Sequence, residues 1–190
     1  MISYYIAAAI AVAALGWWFW RRGARSTPDA LLPGKPLPLF LAYDEQGNKL
    51  DSSSLEGTPA VMLFVRGGWC PFCSSQVKDL TSYYKEITEL GARLILITPR
   101  PLETTRRVAE IFGVDFDFWL DHDLTIARAL DLLHTNAVPG KYEKEFGRDT
   151  IWPTALVVDA GGVIRFTELS KRIVDRPNPK ALLNALQAAI

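Results

Sequence analysis

Apolar residues follow two kinds of pattern along the chain, short unbroken runs and longer stretches with a helical period. Residues 60–65 (AVMLFV) and 93–98 (RLILIT) are almost entirely apolar, which is typical of strands covered on both faces of a sheet. Between them, apolar positions recur every three or four residues and predict one face of a helix: Cys73, Val77, Leu80, Tyr84 and Ile87. Strand, helix and strand in this order predict a parallel crossover unit.

Shorter elements are predicted on both sides of this unit. They are two strands around a turn at 45–48, a helix over 103–112, a strand over 116–120, a helix over 124–133, a hairpin of 154–158 with 163–167, and a last helix begun by Asn178 and Pro179. Residues 134–151 have no clear period, and we interpret them as a loop that approaches the functional edge of the sheet. The fold class is therefore α/β.

The N-terminal segment has a different composition. From Ile2 to Trp20 the chain carries no charge over 19 positions, close to the roughly 20 residues that a helix needs to cross a bilayer. We expect residues 1–20 to form a transmembrane anchor, 21–36 a Pro/Gly-rich linker and 37–190 a folded domain.

A cleaved signal peptide is the alternative reading of the same segment. No basic residue precedes the apolar run, and aromatic rather than small residues end it, so an uncleaved single-pass anchor is favoured. Three arginines follow the run at positions 21, 22 and 25. By the positive-inside tendency they place the domain on the cytoplasmic side of the membrane.

Charge and cysteine content limit the function. Lys plus Arg and Asp plus Glu number 21 each, so no global field attracts nucleic acid, and we expect no nucleic-acid partner. The two cysteines, Cys70 and Cys73, are separated by two residues. This spacing is unlike the dispersed cysteines of a disulfide-stapled domain and indicates a pair that works together.

The position of the pair between a strand and a helix suggests its chemistry. Pro71 suits the first helical position, which makes Cys70 the N-cap. The N–H groups of Phe72 and Cys73 and the positive end of the helix dipole then favour the Cys70 thiolate. Cys73 begins the inward-facing stripe and is shielded. Cys70 is therefore the predicted nucleophile and Cys73 the residue that resolves the mixed disulfide.

The segment from Phe64 to Cys73 contains the sequence RGGWCPFC and resembles the strand-to-helix junction of thioredoxin-fold proteins. Within that superfamily it is similar to the peroxiredoxin-like branch, which is the alkyl hydroperoxide reductase and thiol-specific antioxidant type. Residues 152–154 (WPT) are similar to the cis-proline strand of that fold. The resemblance implies a thioredoxin-like fold with a central mixed sheet flanked by helices. It also implies a cis Trp152–Pro153 bond, with Pro153 packed against the cysteines and helping to bind substrate.

The sequence also departs from the peroxiredoxin pattern, which has a threonine three residues before the reactive cysteine and a distant arginine. With Cys70 as the reactive cysteine, Gly67 stands at the threonine position; with Cys73 as the reactive cysteine, Cys70 stands there. The arginine position falls near Pro153. Arg66 is the candidate substitute for that arginine. The alternative, which we favour, is that Arg66 simply ends its strand in solvent. Trp69, next to the nucleophile, is interpreted as a docking surface for substrate.

These observations predict a membrane-anchored thiol–disulfide oxidoreductase that uses the Cys70/Cys73 couple, without a cofactor. Its expected partners are a thiol or disulfide substrate, a reductant, and the membrane through residues 2–20. One alternative is a thiol peroxidase of antioxidant function that reduces hydroperoxides. Another is a non-enzymatic membrane-bound module with structural or metal-binding cysteines. A zinc site normally needs four ligands, and only His122 and His134 could add to the pair, so no metal is expected.

Overall fold

A computed structural model describes residues 5, 6, 10–17, 25–100, 106, 107, 110, 111, 113–172 and 174–190. Within the described part of the chain, nine strands occur. They are β1 (Leu41–Tyr43), β2 (Lys49–Asp51), β3 (Ala60–Phe64), β4 (Arg93–Thr98), β5 (Asp117–Leu120), β6 (Leu133–His134), β7 (Thr150–Ile151), β8 (Thr154–Val158) and β9 (Ile164–Leu169). The strands predicted around 45–48, over 60–65, 93–98 and 116–120, and in the hairpin of 154–158 with 163–167 are confirmed.

Five α-helices whose bounds lie within the described residues accompany these strands. They are α1 (Pro71–Thr81), α2 (Tyr84–Glu89), α3 (Thr125–Ala129), α4 (Glu143–Phe146) and α5 (Pro179–Gln187), with 3-10 turns at Asp29–Leu31, Ser52–Leu55 and Gly140–Tyr142. Residues 5, 6, 10–17, 106, 107, 110 and 111 are also helical. The last helix begins as predicted, because the Asn178 side chain accepts from the Lys180 N–H and Pro179 is the first helical residue.

Seven strands form one mixed sheet in the order β2-β1-β5-β4-β3-β8-β9, and β6 pairs with β7 separately. β3 pairs parallel with β4 and antiparallel with β8. Alternate residues of β3 face opposite sides, so Val61 and Leu63 pack with α1, α2 and α5, whereas Met62 and Phe64 pack with α3 on the other face. The thioredoxin-like α/β fold with a central mixed sheet is thereby confirmed.

The prediction of a transmembrane anchor over residues 1–20 is wrong. None of the helices in the described residues combines the length and the apolar character that crossing a membrane requires. The described helical stretch 10–17 rises about 12 Å, against about 30 Å of hydrocarbon in a bilayer. Residues 1–4, 7–9 and 18–20 lie outside the described residues. The single-pass location and the membrane as a partner through residues 2–20 are withdrawn together with the anchor.

Two helices differ from their predicted lengths. The helix predicted from the stripe between Cys73 and Ile87 is interrupted between α1 and α2, where Tyr83 leaves helical geometry (φ −110°, ψ 0°). β-Branched, hydroxyl and aromatic residues in this stretch have low helix propensity. The helix predicted over 124–133 is short because Leu124 and Asp131 adopt left-handed backbone (φ 55° and 51°). The predicted helix over 103–112 lies largely outside the described residues.

Two further expectations concern the start of the folded domain and the Trp152–Pro153 bond. The division into a linker over 21–36 and a domain over 37–190 stays a prediction. Within that linker Leu31 is fully buried, and the Gly34 N–H donates to the Ile164 carbonyl oxygen at 2.8 Å. The expected cis bond is not found: all peptide bonds of the described residues are trans, including Trp152–Pro153.

Candidate active site

The two cysteines lie where the chain leaves the sheet and enters α1. Cys70 is the N-cap of α1 with extended backbone (φ −92°, ψ 107°), and Pro71 is the first helical residue. The predicted N-cap, Cys70, and the predicted first helical residue, Pro71, are therefore confirmed. The Cys70 side chain makes no capping hydrogen bond. The Cys73 N–H instead donates to the Cys70 carbonyl oxygen at 3.1 Å.

Both cysteines are buried and reduced, with 1% of Cys70 and 2% of Cys73 exposed. The shielding of Cys73 agrees with its place on the inward face of α1. The shielding of Cys70 differs from the sequence-based expectation of a reachable sulfur. A substrate therefore reaches Cys70 only after a covering side chain moves.

Arg176, which the sequence analysis did not single out, contacts both sulfurs. Its Nη2 lies 3.5 Å from Cys70 Sγ and 3.3 Å from Cys73 Sγ. Its guanidinium also lies 5.9 Å from the centre of the Phe72 ring. Arg176 belongs to the irregular segment between β9 and α5, where no periodic pattern or motif marks a functional residue. Its position beside the cysteines follows only from the tertiary fold.

The electrostatics of the site make the two sulfurs unequal. The pKa of Cys70 is lowered to about 5, chiefly because the Cys73 thiol donates a hydrogen bond to it. The charges of Arg176 and Arg66 act in the same direction, whereas burial opposes the change. The pKa of Cys73 is raised well above its ordinary value by its hydrogen bond with Cys70 and by burial. At neutral pH, Cys70 is a thiolate and Cys73 a thiol.

Arg66 is buried, which corrects the expectation that it ends its strand in solvent. Only 4% of it is exposed. Its Nη2 donates to the Ala137 carbonyl oxygen at 2.5 Å, and its guanidinium lies 4.5 Å from the centre of the Trp69 ring. Its backbone N–H donates to Cys73 Sγ at 3.5 Å. Burial lowers the pKa of Arg66, while the two cysteines oppose that change.

The segment over residues 134–151 approaches the cysteines, as the sequence analysis expected. Tyr142 stacks on Trp69 with ring centres 6.1 Å apart. The Thr150 hydroxyl donates to the Arg66 carbonyl oxygen at 2.6 Å. Trp69 is thus packed between Arg66 and Tyr142, and only part of it is exposed.

Pro153 lies at the same end of the sheet as the segment that leads from β3 to the cysteines. It is buried and immediately precedes β8, whose Thr154 pairs with Phe64 at the end of β3. Its carbonyl oxygen accepts from the Ser170 N–H at 2.9 Å. The strand pairing places Pro153 near the start of the segment that leads from β3 to Cys70, which is compatible with the supporting role expected of it.

Metal binding has no support in the part of the chain that the structure describes. No group of three or more His, Cys, Asp or Glu side chains is arranged there to hold an ion. His122 lies 6.4 Å from the Tyr43 ring, and His134 lies 4.0 Å from the Trp152 ring, both between ring centres. Neither histidine joins the cysteines in a ligand set.

Comparisons with known proteins identify relatives in sequence and in structure. The model of the AhpC/TSA family matches residues 33–167. A peroxiredoxin-like 2C protein from Takifugu rubripes is 28% identical over 96 residues, which cover 48% of this chain and 42% of that relative. The match thus spans less than half of the relative's length.

Two solved structures resemble the fold. Peroxidoxin BcpB from Mycobacterium tuberculosis superposes with a TM-score of 0.64 at 19% identity, covering 82% of this chain and 96% of that one. A thiol peroxidase from Chromobacterium violaceum gives a TM-score of 0.65 at 17% identity, with 87% and 91% covered. At these identities the two superpositions establish the fold.

Proposed function

The chain belongs to the AhpC/TSA family, and from this premise we propose that it is a thiol peroxidase in which Cys70 attacks hydroperoxides and Cys73 resolves the product. Family membership makes it an oxidoreductase of the peroxiredoxin-like, antioxidant type. The observation that carries the finer proposal is the Cys70 thiolate, with its pKa of about 5, beside the guanidinium of Arg176 at the start of α1.

The first step uses the thiolate. The Cys70 sulfur attacks one oxygen of the hydroperoxide, the O–O bond breaks, and the leaving oxygen takes a proton and departs as water or an alcohol. Cys70 becomes a sulfenic acid. With a pKa of about 5, Cys70 is mainly ionised at pH 7. Arg176 supplies N–H donors where negative charge develops on the leaving oxygen.

The second step uses Cys73. Its sulfur attacks the sulfenic sulfur of Cys70, a disulfide forms, and water leaves with the proton of Cys73. The two cysteines lie within one turn at the start of α1, and both sulfurs contact Arg176 Nη2, so this step needs little rearrangement. An external thiol reductant then returns two electrons and restores the dithiol. The proposed partners are accordingly a hydroperoxide and a thiol reductant.

The remaining site residues have supporting roles in this proposal. Trp69 and Arg66 form one wall of the site through their cation–π contact. Pro153 fixes the backbone just before β8, at the end of the sheet near Trp69 and Arg66. Arg176 contacts both buried sulfurs, so its guanidinium must shift to admit the hydroperoxide while its N–H groups stay within reach of the leaving oxygen.

The experiment that tests the proposal is stopped-flow oxidation of the reduced protein by hydrogen peroxide. We expect a second-order rate at least about a hundredfold above that of a free thiolate, a difference of about 3 kcal/mol in activation free energy. Cys73→Ser should retain this step and accumulate a sulfenic acid that dimedone traps, whereas Cys70→Ser should lose it. A wild-type rate equal to that of a free thiolate would refute peroxidase function.

Thiol–disulfide exchange is the second candidate, and Gly67 favours it. This residue leaves the site without the hydroxyl that peroxiredoxins place three residues before the reactive cysteine. In this reaction Cys70 attacks a substrate disulfide and Cys73 displaces the reduced product. A slow reaction with peroxide together with rapid reduction of a protein disulfide would select it. Cys73→Ser should then trap mixed disulfides through Cys70.

A further inference from the structure

A groove runs along α1 from the cysteine pair. It has a volume of about 590 Å³, within the range of roughly 300–1,000 Å³ typical of ligand sites. Its wall on one side is the exposed face of α1, and on the other the segment that leads into α5. The lining residues are Phe72, Ser75, Gln76, Asp79, Ser82, Tyr83, Val174, Arg176, Pro177, Asn178 and Pro179.

The groove is continuous with the redox site. Arg176 lines it and also contacts both sulfurs, 3.5 Å from Cys70 Sγ and 3.3 Å from Cys73 Sγ. Phe72, between the two cysteines in sequence, lines the same end and is 42% exposed. A molecule seated in the groove therefore has one end beside the sulfurs.

Gln76 indicates what kind of molecule fits. Only 5% of its surface is exposed, and its side-chain oxygen has no hydrogen-bond partner among the described residues. A buried acceptor without a partner destabilises the folded chain, and a donor from a bound molecule would remove that cost. The last side-chain torsion of glutamine is soft, so the oxygen can turn toward the groove that Gln76 lines.

The polar lining argues against the alkyl tail of a hydroperoxide. An alkyl tail has no donor for the Gln76 oxygen and gains little from Ser75, Asp79, Ser82 and Asn178. A peptide backbone carries an N–H at almost every residue and matches this lining. Phe72 and the 50%-exposed Val174 offer apolar contacts for its side chains.

The length of the groove distinguishes a protein segment from a small peptide thiol. Its lining on α1 extends from Phe72 to the end of the helix, which corresponds to about 14 Å at 1.5 Å per residue. An extended chain covers that distance with about four residues. Gln76 lies six positions beyond Cys70, about 9 Å along the helix, so its donor lies two to three residues from the reacting cysteine.

We propose that this groove binds, in extended conformation, the cysteine-bearing segment of the protein that reduces the Cys70–Cys73 disulfide, with Gln76 accepting one of its backbone N–H groups. The inference deepens the proposed function and rests on its dithiol–disulfide couple. The reductant's thiolate attacks Cys70 Sγ, and Cys73 leaves and takes up a proton. A second thiol then attacks the mixed disulfide, so the reductant is oxidised to a disulfide and Cys70 is released.

The test measures reduction of the disulfide separately from its formation by peroxide. The protein is oxidised with diamide, and thiol titration must show that both thiols are lost before a reductant is added. If they are not lost, the dithiol–disulfide couple of the proposed function fails. Reduction is then followed with three monothiols: 2-mercaptoethanol, glutathione, and a capped hexapeptide with one cysteine at its fourth position.

Three variants separate the groove from the rest of the site. Gln76→Leu removes the acceptor at similar size, and Ser75→Trp fills the groove from an exposed position on α1. Gln187→Leu, at an exposed position of α5, is the matched control. We expect Gln76→Leu and Ser75→Trp to slow reduction by the hexapeptide about tenfold, equivalent to about 1.4 kcal/mol. Reduction by 2-mercaptoethanol should change less than about twofold, and Gln187→Leu should alter neither rate.

The proposal fails if the first two variants leave the hexapeptide rate unchanged, or if they slow both reductants by the same factor. Glutathione decides the source of the peptide. Because it reaches less of the groove than the hexapeptide, its rate should fall by less than about threefold in Gln76→Leu. A loss equal to that of the hexapeptide would overturn the assignment to a protein segment and indicate a free peptide thiol.

Discussion

Arg176 Nη2 lies 3.5 Å from Cys70 Sγ, although 106 positions separate the two residues in the chain. The sheet order brings them together. β8 and β9 follow β3 at one side of the sheet, so the segment after β9 passes over the start of α1 on its way to α5. The same guanidinium covers the sulfurs, favours the Cys70 thiolate and lines the adjacent groove.

Replacing Arg176 with methionine should raise the pKa of Cys70. A positive charge within about 4–6 Å favours a thiolate, with typical effects of one or more pKa units when a group is shielded from water. At pH 5–6 a smaller fraction of Cys70 should therefore be thiolate in the variant, and Cys70 should react with iodoacetamide more slowly than in wild type. The measurement is the thiolate absorbance near 240 nm as a function of pH.

Arg172→Met provides the control for this change. It removes a positive charge from the same segment, at an exposed position, and should leave the absorbance titration unchanged. Arg176→Lys should restore part of the effect, because it keeps the charge but loses the planar guanidinium. A titration of Arg176→Met that coincides with wild type would show that Arg176 only covers the sulfurs.

Cys73→Ala should raise the pKa of Cys70 by more than Arg176→Met does. The hydrogen bond from the Cys73 thiol is the largest contribution to the lowered pKa of Cys70, ahead of the two arginines. In wild type, alkylation of Cys70 should rise through about pH 5 and reach a plateau by neutral pH. In the variant, the same rise should move toward the range of ordinary thiols. Cys73→Ser keeps a hydrogen-bond donor, so the pKa of Cys70 in that variant should lie between its values in wild type and in Cys73→Ala.

The sequence predicted those parts of the fold and site that depend on local pattern. The runs at 60–65 and 93–98 identify central strands because both of their faces are buried, and Pro71 fixes the start of α1 beside Cys70. Arg176 has no such signal, because its role depends on the order of distant strands. Arg66 was misjudged for a related reason: its burial depends on Trp69 and the Ala137 carbonyl oxygen, neither of which its own neighbours in sequence reveal.

The anchor and the cis bond fail for another reason. Residues 2–20 are apolar over about the length that a membrane-spanning helix needs. No helix of the described residues, however, is both long enough and apolar enough to cross a membrane. The expected geometry at Pro153 was taken from a resemblance in three residues. The Trp152–Pro153 bond is trans, and the Pro153 carbonyl oxygen accepts from the Ser170 N–H.

Gly67→Ala should destabilise the protein and displace Trp69. Gly67 has φ +135°, which is strained for any side chain, and an added Cβ would lie 3.0 Å from Trp69 Nε1 and 3.2 Å from Cδ1. We expect a loss of about 2 kcal/mol in the free energy of unfolding. Urea unfolding followed by tryptophan fluorescence measures the stability, and the native-state spectrum reports the displacement of Trp69.

Gly140→Ala is the matched control for that substitution. An added Cβ at Gly140 meets nothing within 4 Å, so the free energy of unfolding should change by less than about 0.5 kcal/mol. If Gly67→Ala lost as little stability as is expected for Gly140→Ala, the chain would tolerate a side chain at Gly67. Close contact with that glycine would then not hold Trp69 in place.

His134→Phe should make the protein less sensitive to acid. The pKa of His134 is lowered to about 4, first by burial and then by the charges of Arg66 and Arg25. Its Nδ1 is buried without a hydrogen-bond partner among the described residues, and its ring lies 4.0 Å from that of Trp152. Because the unfolded chain binds the proton more readily than the folded one, the neutral histidine costs stability as pH falls from about 6.5 to about 4.

Phenylalanine keeps the contact with the Trp152 ring but cannot take up a proton, so the variant should lose less stability over this interval. The measurement is the urea unfolding midpoint at pH 7, 5.5 and 4.5, compared with wild type at each pH. His122→Phe, at an exposed position, is the control and should follow wild type. Ionisation of Cys70 contributes to both curves alike and cancels in the comparison. Parallel curves for wild type and His134→Phe would show that His134 takes up its proton equally well in the folded and unfolded chain, and that Arg66 and Arg25 do not suppress its charge.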